Sequence, residues 1–212
     1  MTAMDRVLLL VAGYPGTGKS HVCTLLQERL GPLRLLALDA AKEELYDREG
    51  FADVTAKAHL DRAALELFLA RVRTAMAEGD PLLAEYPFSE KQRPALAAAC
   101  TAYGYRPFTV RLVAEFEELF ARQHRRDLDP ARHLGHLVDT YHPGDILTDR
   151  SEAPQVLTRE VFLERFLHRG YGEFALGPVL EVDTTDFALV DDDALVEGIT
   201  RRIAEERTGT PS

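Results

Sequence analysis

Residues 13–20, GYPGTGKS, constrain this chain more than any other part of its sequence. They fit the pattern G-x-x-x-x-G-K-[ST], in which glycines permit a tight turn and successive backbone N–H groups cradle phosphate oxygens. The apolar run of residues 7–12 (VLLLVA) predicts a strand that is buried on both faces. Apolar residues then recur at helical spacing until Gly31-Pro32. The sequence therefore predicts a phosphate-binding loop between a buried strand and the N-terminus of a helix.

This loop predicts a site for a nucleoside triphosphate. Lys19 is expected to reach the β- and γ-phosphates, and the Ser20 hydroxyl is expected to bind Mg²⁺. The helix N-terminus adds partial positive charge. The predicted nucleotide-binding residues of the loop are Gly13, Tyr14, Pro15, Gly16, Thr17, Gly18, Lys19, Ser20 and His21.

Length and composition indicate one α/β domain over residues 1–212, with a lid segment at about residues 122–158 and a frayed end at residues 208–212. The net charge of −10 disfavours nucleic acid and anionic membranes as partners, although a local basic cleft could escape that average. No apolar stretch is long enough to span a bilayer, and the first apolar run continues directly into the phosphate loop. We expect a cytoplasmic protein whose oligomeric state the sequence does not reveal.

Predicted strands alternate with predicted helices along the chain, which indicates a five-stranded parallel sheet with helices on both faces. In such folds, ligands bind beyond the carboxyl ends of the strands. This rule selects the phosphate loop, Asp39, Glu85 and the turn at residues 183–186 as candidate site residues. After the first strand, the predicted strands are residues 33–38, 81–85, 106–113 and 179–182, and the later helices are residues 40–46, 55–77, 89–103, 115–126, 159–168 and 191–207.

The remaining motifs narrow the class of phosphate-loop protein. The chain has no N-K-x-D motif and no D-x-x-G motif at a strand end, which disfavours a GTPase switch. A ring-forming mechanical ATPase should have an apolar strand that ends in consecutive acidic residues, and this chain has no such strand. The phosphate loop, a strand ending in Asp39, the helix ARQHRR, a lid and a late DTTDF resemble the small P-loop kinases. That group includes zeta-toxin-like kinases, chloramphenicol phosphotransferase, the 5′-kinase domain of polynucleotide kinase and many bacterial AAA-family ATPase proteins.

The resemblance implies a three-layer P-loop NTPase fold and ATP-dependent phosphorylation of a hydroxyl group. It also implies that Asp39 accepts the proton of that hydroxyl or acts through Mg²⁺, and a carboxylate is chemically suited to both tasks. The alternative is that Asp39 only caps a helix that begins at Ala40. Glu85 matches a position near the metal or the acceptor, but the sequence Glu-Tyr-Pro-Phe departs from the family pattern. A solvated acid at the strand edge is therefore the alternative for Glu85.

Basic residues before and within the predicted lid are candidates for binding phosphate. Arg122 and Arg126 share one helix face, where guanidinium groups could clamp the transferring phosphoryl group. The resemblance adds that a lid arginine can stack on adenine. Arg132 and His133 are candidate phosphate or substrate contacts on the loop. The alternatives are a solvated helix face and ordinary loop residues.

Two further groups complete the predicted site. Thr184 and Thr185 follow the last strand and are expected to meet the adenine base, or else to cap a helix. The aromatic candidates for the acceptor pocket have an alternative role, because aromatic side chains at such positions are often part of the core. By their position after the second and third strands, the candidates for the pocket are Tyr46, Phe51, Glu85, Tyr86, Phe88 and Arg93, with Asp39 at its entrance.

The sequence thus favours an ATP- and Mg²⁺-dependent kinase that phosphorylates a hydroxyl of a small molecule such as an antibiotic, a nucleoside or a sugar-like metabolite. Two alternatives stay open. One is a polynucleotide 5′-hydroxyl kinase, which the negative charge disfavours. The other is a regulator that binds ATP without transferring phosphate.

Overall fold

The computed structural model describes residues 4–208, so most of the predicted frayed end, residues 209–212, lies outside the described residues. Strands and helices alternate from the phosphate loop onward, as the sequence predicts. The strands are β1 (Val7–Gly13), β2 (Arg34–Ala37), β3 (Leu82–Glu85), β4 (Arg106–Val113) and β5 (Val179–Asp183). The α-helices are α1 (Lys19–Leu30), α2 (Leu38–Glu49), α3 (Val54–Glu78), α4 (Arg93–Tyr103), α5 (Phe116–Leu128), α6 (Arg159–His168) and α7 (Asp192–Thr208).

The five strands form one parallel sheet in the order β2-β3-β1-β4-β5. Strand β1 lies at the centre, where Val11 is opposite both Glu85 of β3 and Val110 of β4. Every residue of β1 is buried, which explains its continuous apolar sequence. The predicted fold is confirmed, and the carboxyl ends of the strands all meet at one edge of the sheet.

Alternate residues of β1 pack into two separate cores. Leu8 and Leu10 join the apolar faces of α2, α3 and α4, whereas Leu9 and Val11 join those of α1 and α7. The sheet is thus covered on both faces, and the molecule has three layers. In the described residues, no helix is both long enough and apolar enough to cross a membrane.

Two helices begin two or more residues away from the predicted start, whereas α3, α5 and α7 begin within one residue of it. Helix α2 begins at Leu38, because β2 is a short edge strand that ends at Ala37. Helix α4 begins at Arg93, not at Ser89, so Ser89 is not its N-cap. The backbone N–H and hydroxyl of Ser89 instead donate to Oε1 of Gln92. Proline is tolerated only in the first turn of a helix, so the Pro that follows Arg93 fixes this start.

The segment 129–158, most of the predicted lid, packs against α2 and α3. It contains two short 3₁₀ turns, Leu134–His136 and Arg150–Glu152. Phe51 and Tyr141 pair as an antiparallel bridge, with both N···O distances at 2.8 Å. Leu134, Leu137 and Tyr141 share a buried cluster with side chains of α2 and α3. This segment therefore forms one wall beside the carboxyl edge of the sheet.

Candidate active site

One cavity of about 520 Å³ lies at the carboxyl edge of the sheet. Its walls come from the phosphate loop, α2, α3, the chain after β3, α5, α6 and the segment 129–158. The cavity is rich in charge, with seven lysine and arginine side chains against five acids, in a chain whose net charge is −10. The negative net charge of the chain does not exclude a local basic cleft, and this cavity is such a cleft. The cations are Lys19, Lys42, Lys57, Arg126, Arg132, Arg165 and Arg169, and the acids are Asp39, Glu43, Asp61, Glu85 and Asp127.

The glycines of the phosphate loop occupy positions where a side chain would not fit. A Cβ atom on Gly13 would lie 2.3 Å from the carbonyl oxygen of Leu112, and one on Gly16 would lie 2.7 Å from that of Leu119. Both glycines, and Gly18 at the start of α1, have positive φ angles. These positions favour glycine because other residues pay a steric cost there. The conformation of the loop therefore depends on having glycine at these positions.

Lys19 lies folded against the phosphate loop. Its Nζ donates to the carbonyl oxygens of Gly13, at 3.1 Å, and Tyr14, at 2.9 Å. Burial lowers the pKa of Lys19 to about 8, even though Glu85 and Asp39 oppose that shift. The buried ammonium thus lies near carboxylates within the cavity, but among the described residues its hydrogen-bond acceptors are these two carbonyl oxygens.

Ser20 and Glu85 meet across the junction of β1 and β3. The Ser20 hydroxyl donates to Oε1 of Glu85 at 2.7 Å. Glu85 ends β3 directly beside β1, so the sheet register brings this acid to the start of α1. The pair presents hard oxygen donors, which are the ligands that Mg²⁺ prefers.

Asp39 lies in the first turn of α2, where its carboxylate faces the cavity. It does not cap the helix, because the N-cap residue is Ala37. Its Oδ2 lies 3.6 Å from Nη2 of Arg126 and 3.5 Å from Nη1 of Arg132. Burial acts to raise the pKa of Asp39, but His136 and the nearby cations outweigh it and lower that pKa to about 2.

The two arginines predicted to share a role lie in different places. Arg126 faces the cavity beside Asp39. Arg122 points to the turn after β5, where its guanidinium donates to the carbonyl oxygens of Thr184, at 2.7 Å, and Thr185, at 2.6 Å. The two side chains therefore contact different parts of the molecule, and only Arg126 of the two lines the cavity.

Thr184 and Tyr14 serve as anchors of the phosphate loop. The buried hydroxyl of Thr184 donates to the carbonyl oxygens of Thr17, at 3.1 Å, and Val113, at 3.0 Å. The ring of Tyr14 stacks on Phe166 of α6 at 4.4 Å, and its hydroxyl donates to the Phe166 carbonyl oxygen at 3.0 Å. The loop is thus fixed to β4, β5 and α6.

Several predicted acceptor residues lie outside the cavity. Phe88 is fully buried in the core beneath α3 and α4. The Arg93 side chain donates to the carbonyl oxygen of Ala175 on the surface. His133 lies 3.0 Å from Asp47 through its Nε2 and does not line the cavity. Phe51 is buried in the cluster below segment 129–158. These placements correct the prediction that these residues contact the acceptor. The clearest case is Phe88, because the chain after β3 turns directly into the core.

Other predicted acceptor residues do face the cavity. Tyr46, Glu85, Tyr86 and Arg132 all line it, together with Asp39. The Tyr46 hydroxyl donates to Oδ1 of Asp61 at 2.5 Å, so most of its ring packs in the core while its polar end reaches the cavity.

The sequence argument missed cavity residues that come from helix faces. Lys42 and Glu43 follow Asp39 at helical spacing, and they line the cavity with it. Lys57 and Asp61 form a similar pair on α3. Arg165 on α6 and Arg169 just after it form a third pair. A search for charged residues at i, i+3 and i+4 spacing is the signal that could have found them.

Comparison with known proteins agrees with this geometry. The family model of the AAA domain matches residues 8–141, which include the phosphate loop, Asp39 and Glu85. The chain belongs to this AAA domain family. A search of curated proteins finds no match.

Solved structures similar to this AAA domain include several kinases. A proposed kinase from Chloroflexus aurantiacus has 28% identity and a TM-score of 0.73, with 93% of this chain and 98% of that chain covered. A gluconokinase from Sinorhizobium meliloti has 16% identity and a TM-score of 0.51, with 95% and 93% covered. A sugar kinase from a Janibacter species has 12% identity and a TM-score of 0.56, with 97% and 99% covered. These findings confirm the resemblance to small P-loop kinases and identify a kinase-like P-loop domain.

Proposed function

We propose that this AAA domain protein is an ATP- and Mg²⁺-dependent kinase that transfers the γ-phosphate to a hydroxyl of a small polar molecule. One observation carries the proposal. Lys19, the Ser20–Glu85 pair and Asp39 line a single cavity, which continues into a chamber between α2, α3 and segment 129–158. A phosphoryl donor and a hydroxyl acceptor must be held side by side, and one continuous cavity of this kind can hold both.

The residues present fit a triphosphate and a magnesium ion. Gly13, Gly16 and Gly18 give the loop the positive φ angles of a phosphate-binding turn, and helix α1 begins directly after it, so backbone N–H groups are available to phosphate oxygens. Ser20 and Glu85 supply the oxygen donors that would hold Mg²⁺ directly or through water. When bound, Mg²⁺ neutralises charge on the phosphate oxygens.

Arginines around the cavity are suited to bind the phosphates. Arg126 lines the cavity beside Asp39. Arg165 and Arg169 also line it, and their side chains form no ion pair with the residues that the structure describes. Uncompensated guanidinium groups in a cavity favour a highly anionic ligand, and they stabilise the charge that develops during phosphoryl transfer.

Asp39 is placed to orient the acceptor hydroxyl. Its low pKa means that the carboxylate is ionised at neutral pH, so it can accept a hydrogen bond from the hydroxyl. The same low pKa makes Asp39 a weak base. Phosphoryl transfer with a loose transition state needs position more than basicity, since little proton transfer has to precede it. Asp39 therefore acts first by orientation and takes the proton late.

The chamber beyond Asp39 favours a densely polar acceptor. Lys42 lies 3.3 Å from Asp61, and Nε2 of His136 lies 2.8 Å from Glu43. Two buried atoms nearby, Oε1 of Gln123 and Nε of Arg132, have no hydrogen-bond partner among the described residues. A polyhydroxylated molecule supplies the donors and acceptors that such a wall requires.

The test is phosphate transfer from γ-labelled ATP with Mg²⁺ to separate pools of sugars and sugar acids, nucleosides, antibiotics and 5′-hydroxyl oligonucleotides. We expect label on a small molecule, and Asp39→Asn should lower transfer by about 100-fold or more while ATP still binds. Label on oligonucleotides alone would favour the end-kinase. ATP binding without transfer to any pool would favour the regulator. Full activity of the folded Asp39→Asn variant would refute the role of Asp39.

A further inference from the structure

The ring of Phe187 lies on the face of the Arg122 guanidinium. The Cζ atom of Arg122 is 4.3 Å from the ring centroid. The guanidinium cannot easily turn away, because it donates to two carbonyl oxygens of the turn after β5. A flat cationic surface is therefore held in one orientation and covered by an aromatic ring.

The same ring closes the space between Arg122 and the start of α1. A Cβ atom on Gly18 would lie 2.2 Å from Cζ of Phe187, so the ring touches the phosphate loop itself. The ring also meets the side chain of His21 edge-on, with centroids 6.1 Å apart. The large cavity reaches neither Arg122 nor Phe187. The phosphate site is thus open, whereas the space next to it is filled by Phe187.

Little else holds this ring in place. Phe187 begins a 3₁₀ turn, and the hydrogen bonds found for residues 186–190 are all local, between Asp186 and Ala188 or Leu189 and between Phe187 and Val190. The Phe187 side chain is 36% exposed, and Leu189 in the same turn is 82% exposed. In contrast, Thr184 just before the turn is buried and anchored at two carbonyl groups. The turn can therefore move without disturbing the sheet.

We propose that Phe187 is a removable plug of the nucleoside-base site. In this structure the ring stacks on Arg122, and a nucleotide base takes over that face when the ring moves outward. The inference rests on the proposed function only in that the phosphate loop must bind a nucleoside triphosphate. Because the base has to displace the ring, stacking gained by the base is offset by stacking lost by Phe187. A triphosphate without a base binds with the plug in place.

Calorimetric titration of the full chain with MgATP and with magnesium tripolyphosphate separates these cases. We expect Phe187→Ala to bind MgATP about 2- to 30-fold more tightly than the wild type, the range that corresponds to one lost cation–π contact. Tripolyphosphate affinity should not change. Phe187→Leu retains apolar bulk without a stacking ring, so it should give a smaller gain. Leu189→Ala is the matched control in the same turn and should bind both ligands like the wild type.

Each other result overturns the plug. Weaker MgATP binding by Phe187→Ala would make the ring a stacking partner of the bound base. Equal gains for MgATP and tripolyphosphate would place the effect in the phosphate loop. Unchanged affinities in both phenylalanine variants would leave the ring without influence on the base. If the wild type bound neither ligand, the proposed function would fail as well as the plug. If the wild type bound both ligands but the Phe187 variants gave one of the results above, only the plug would fail.

Discussion

The two sides of the cavity, which we propose to hold the nucleotide and the acceptor, are built differently. The nucleotide side consists largely of backbone, with glycines at Gly13, Gly16 and Gly18 and carbonyl groups that hold Lys19. The acceptor side consists of charged side chains from α2, α3 and segment 129–158. A backbone surface suits the phosphates that every nucleotide shares, whereas side chains suit the features that distinguish one acceptor from another.

Removal of the nucleotide-side cation should have the largest effect. Lys19→Met should lower phosphate transfer by roughly 100- to 1,000-fold, because one preorganised charge next to the transferring group is lost. The fold should persist, since Lys19 forms only two carbonyl hydrogen bonds. Lys91→Met, at an exposed lysine, is the control. Initial rates with labelled ATP and thermal melts test both points, and retention of a tenth of the wild-type rate would contradict the assignment.

Neighbouring arginines at the boundary between the two sides offer a sharper comparison. Arg126→Gln should lower transfer by about 100-fold, because Arg126 lies in the cavity next to Asp39. Arg125→Gln should leave transfer near the wild-type rate, because Arg125 is exposed and does not line the cavity. The two kcat/KM values measure the difference. Equal losses would mean that the helix contributes general positive charge and no specific contact.

A change on the acceptor side should affect the acceptor alone. Asp61→Asn should raise the KM for the acceptor by about 10-fold, because it weakens the contacts with Tyr46 and Lys42. The KM for ATP should stay within about twofold of the wild type. Glu66→Gln, on the exposed side of the same helix, is the matched control. A parallel rise in both KM values would break the division between the two sides.

The smallest expected effect is a pH dependence of stability. Burial lowers the pKa of Lys57 to about 8, from 10.5 in the unfolded chain. Between these two pH values the unfolded state binds more protons than the folded state, so rising pH favours the folded state. Below pH 8 Lys57 is charged in both states, and the cost of burying its charge is fully present. From pH 8 to 10, the free energy of unfolding of the wild type should therefore rise relative to Lys57→Met by about 1 kcal/mol or less.

Urea unfolding of both proteins at several pH values provides this measurement. The comparison with Lys57→Met removes the contribution of the other lysines and tyrosines that titrate in the same range. A difference that stays constant or falls as the pH rises would mean that the carbonyl groups of His136 and Val138, to which the Lys57 ammonium donates, fully offset its desolvation by burial.

The sequence was most informative where the site is local. A strand, a glycine loop and a helix follow one another without interruption, so residues 7–30 could be predicted as a unit. Glu85 could be placed beside this unit because parallel strands bring their carboxyl ends to one edge. These positions depend on a local motif, on periodicity and on sheet geometry.

The acceptor wall could not be predicted in the same way, because it is assembled from distant helices. The apolar run of residues 33–38 predicted a strand through Leu38, which hid the start of α2 and the helical spacing of Asp39 and Lys42. Phe88 was placed wrongly because nothing local indicates that its chain turns inward after β3. Arg165 reaches the cavity only through the packing of α6 on Tyr14. Such contacts depend on tertiary structure.

One face of helix α2 packs in the core, and another face lines the cavity. Leu38, Ala41 and Leu45 pack in the core, while Asp39 and Lys42 face the cavity. Residues on the cavity face can therefore be exchanged without a loss of core packing. Under the proposed function, relatives that differ on this face would keep the sheet and phosphate loop and accept another compound. Variation of Lys42 and Glu43 would then redirect this protein without any change to the sheet.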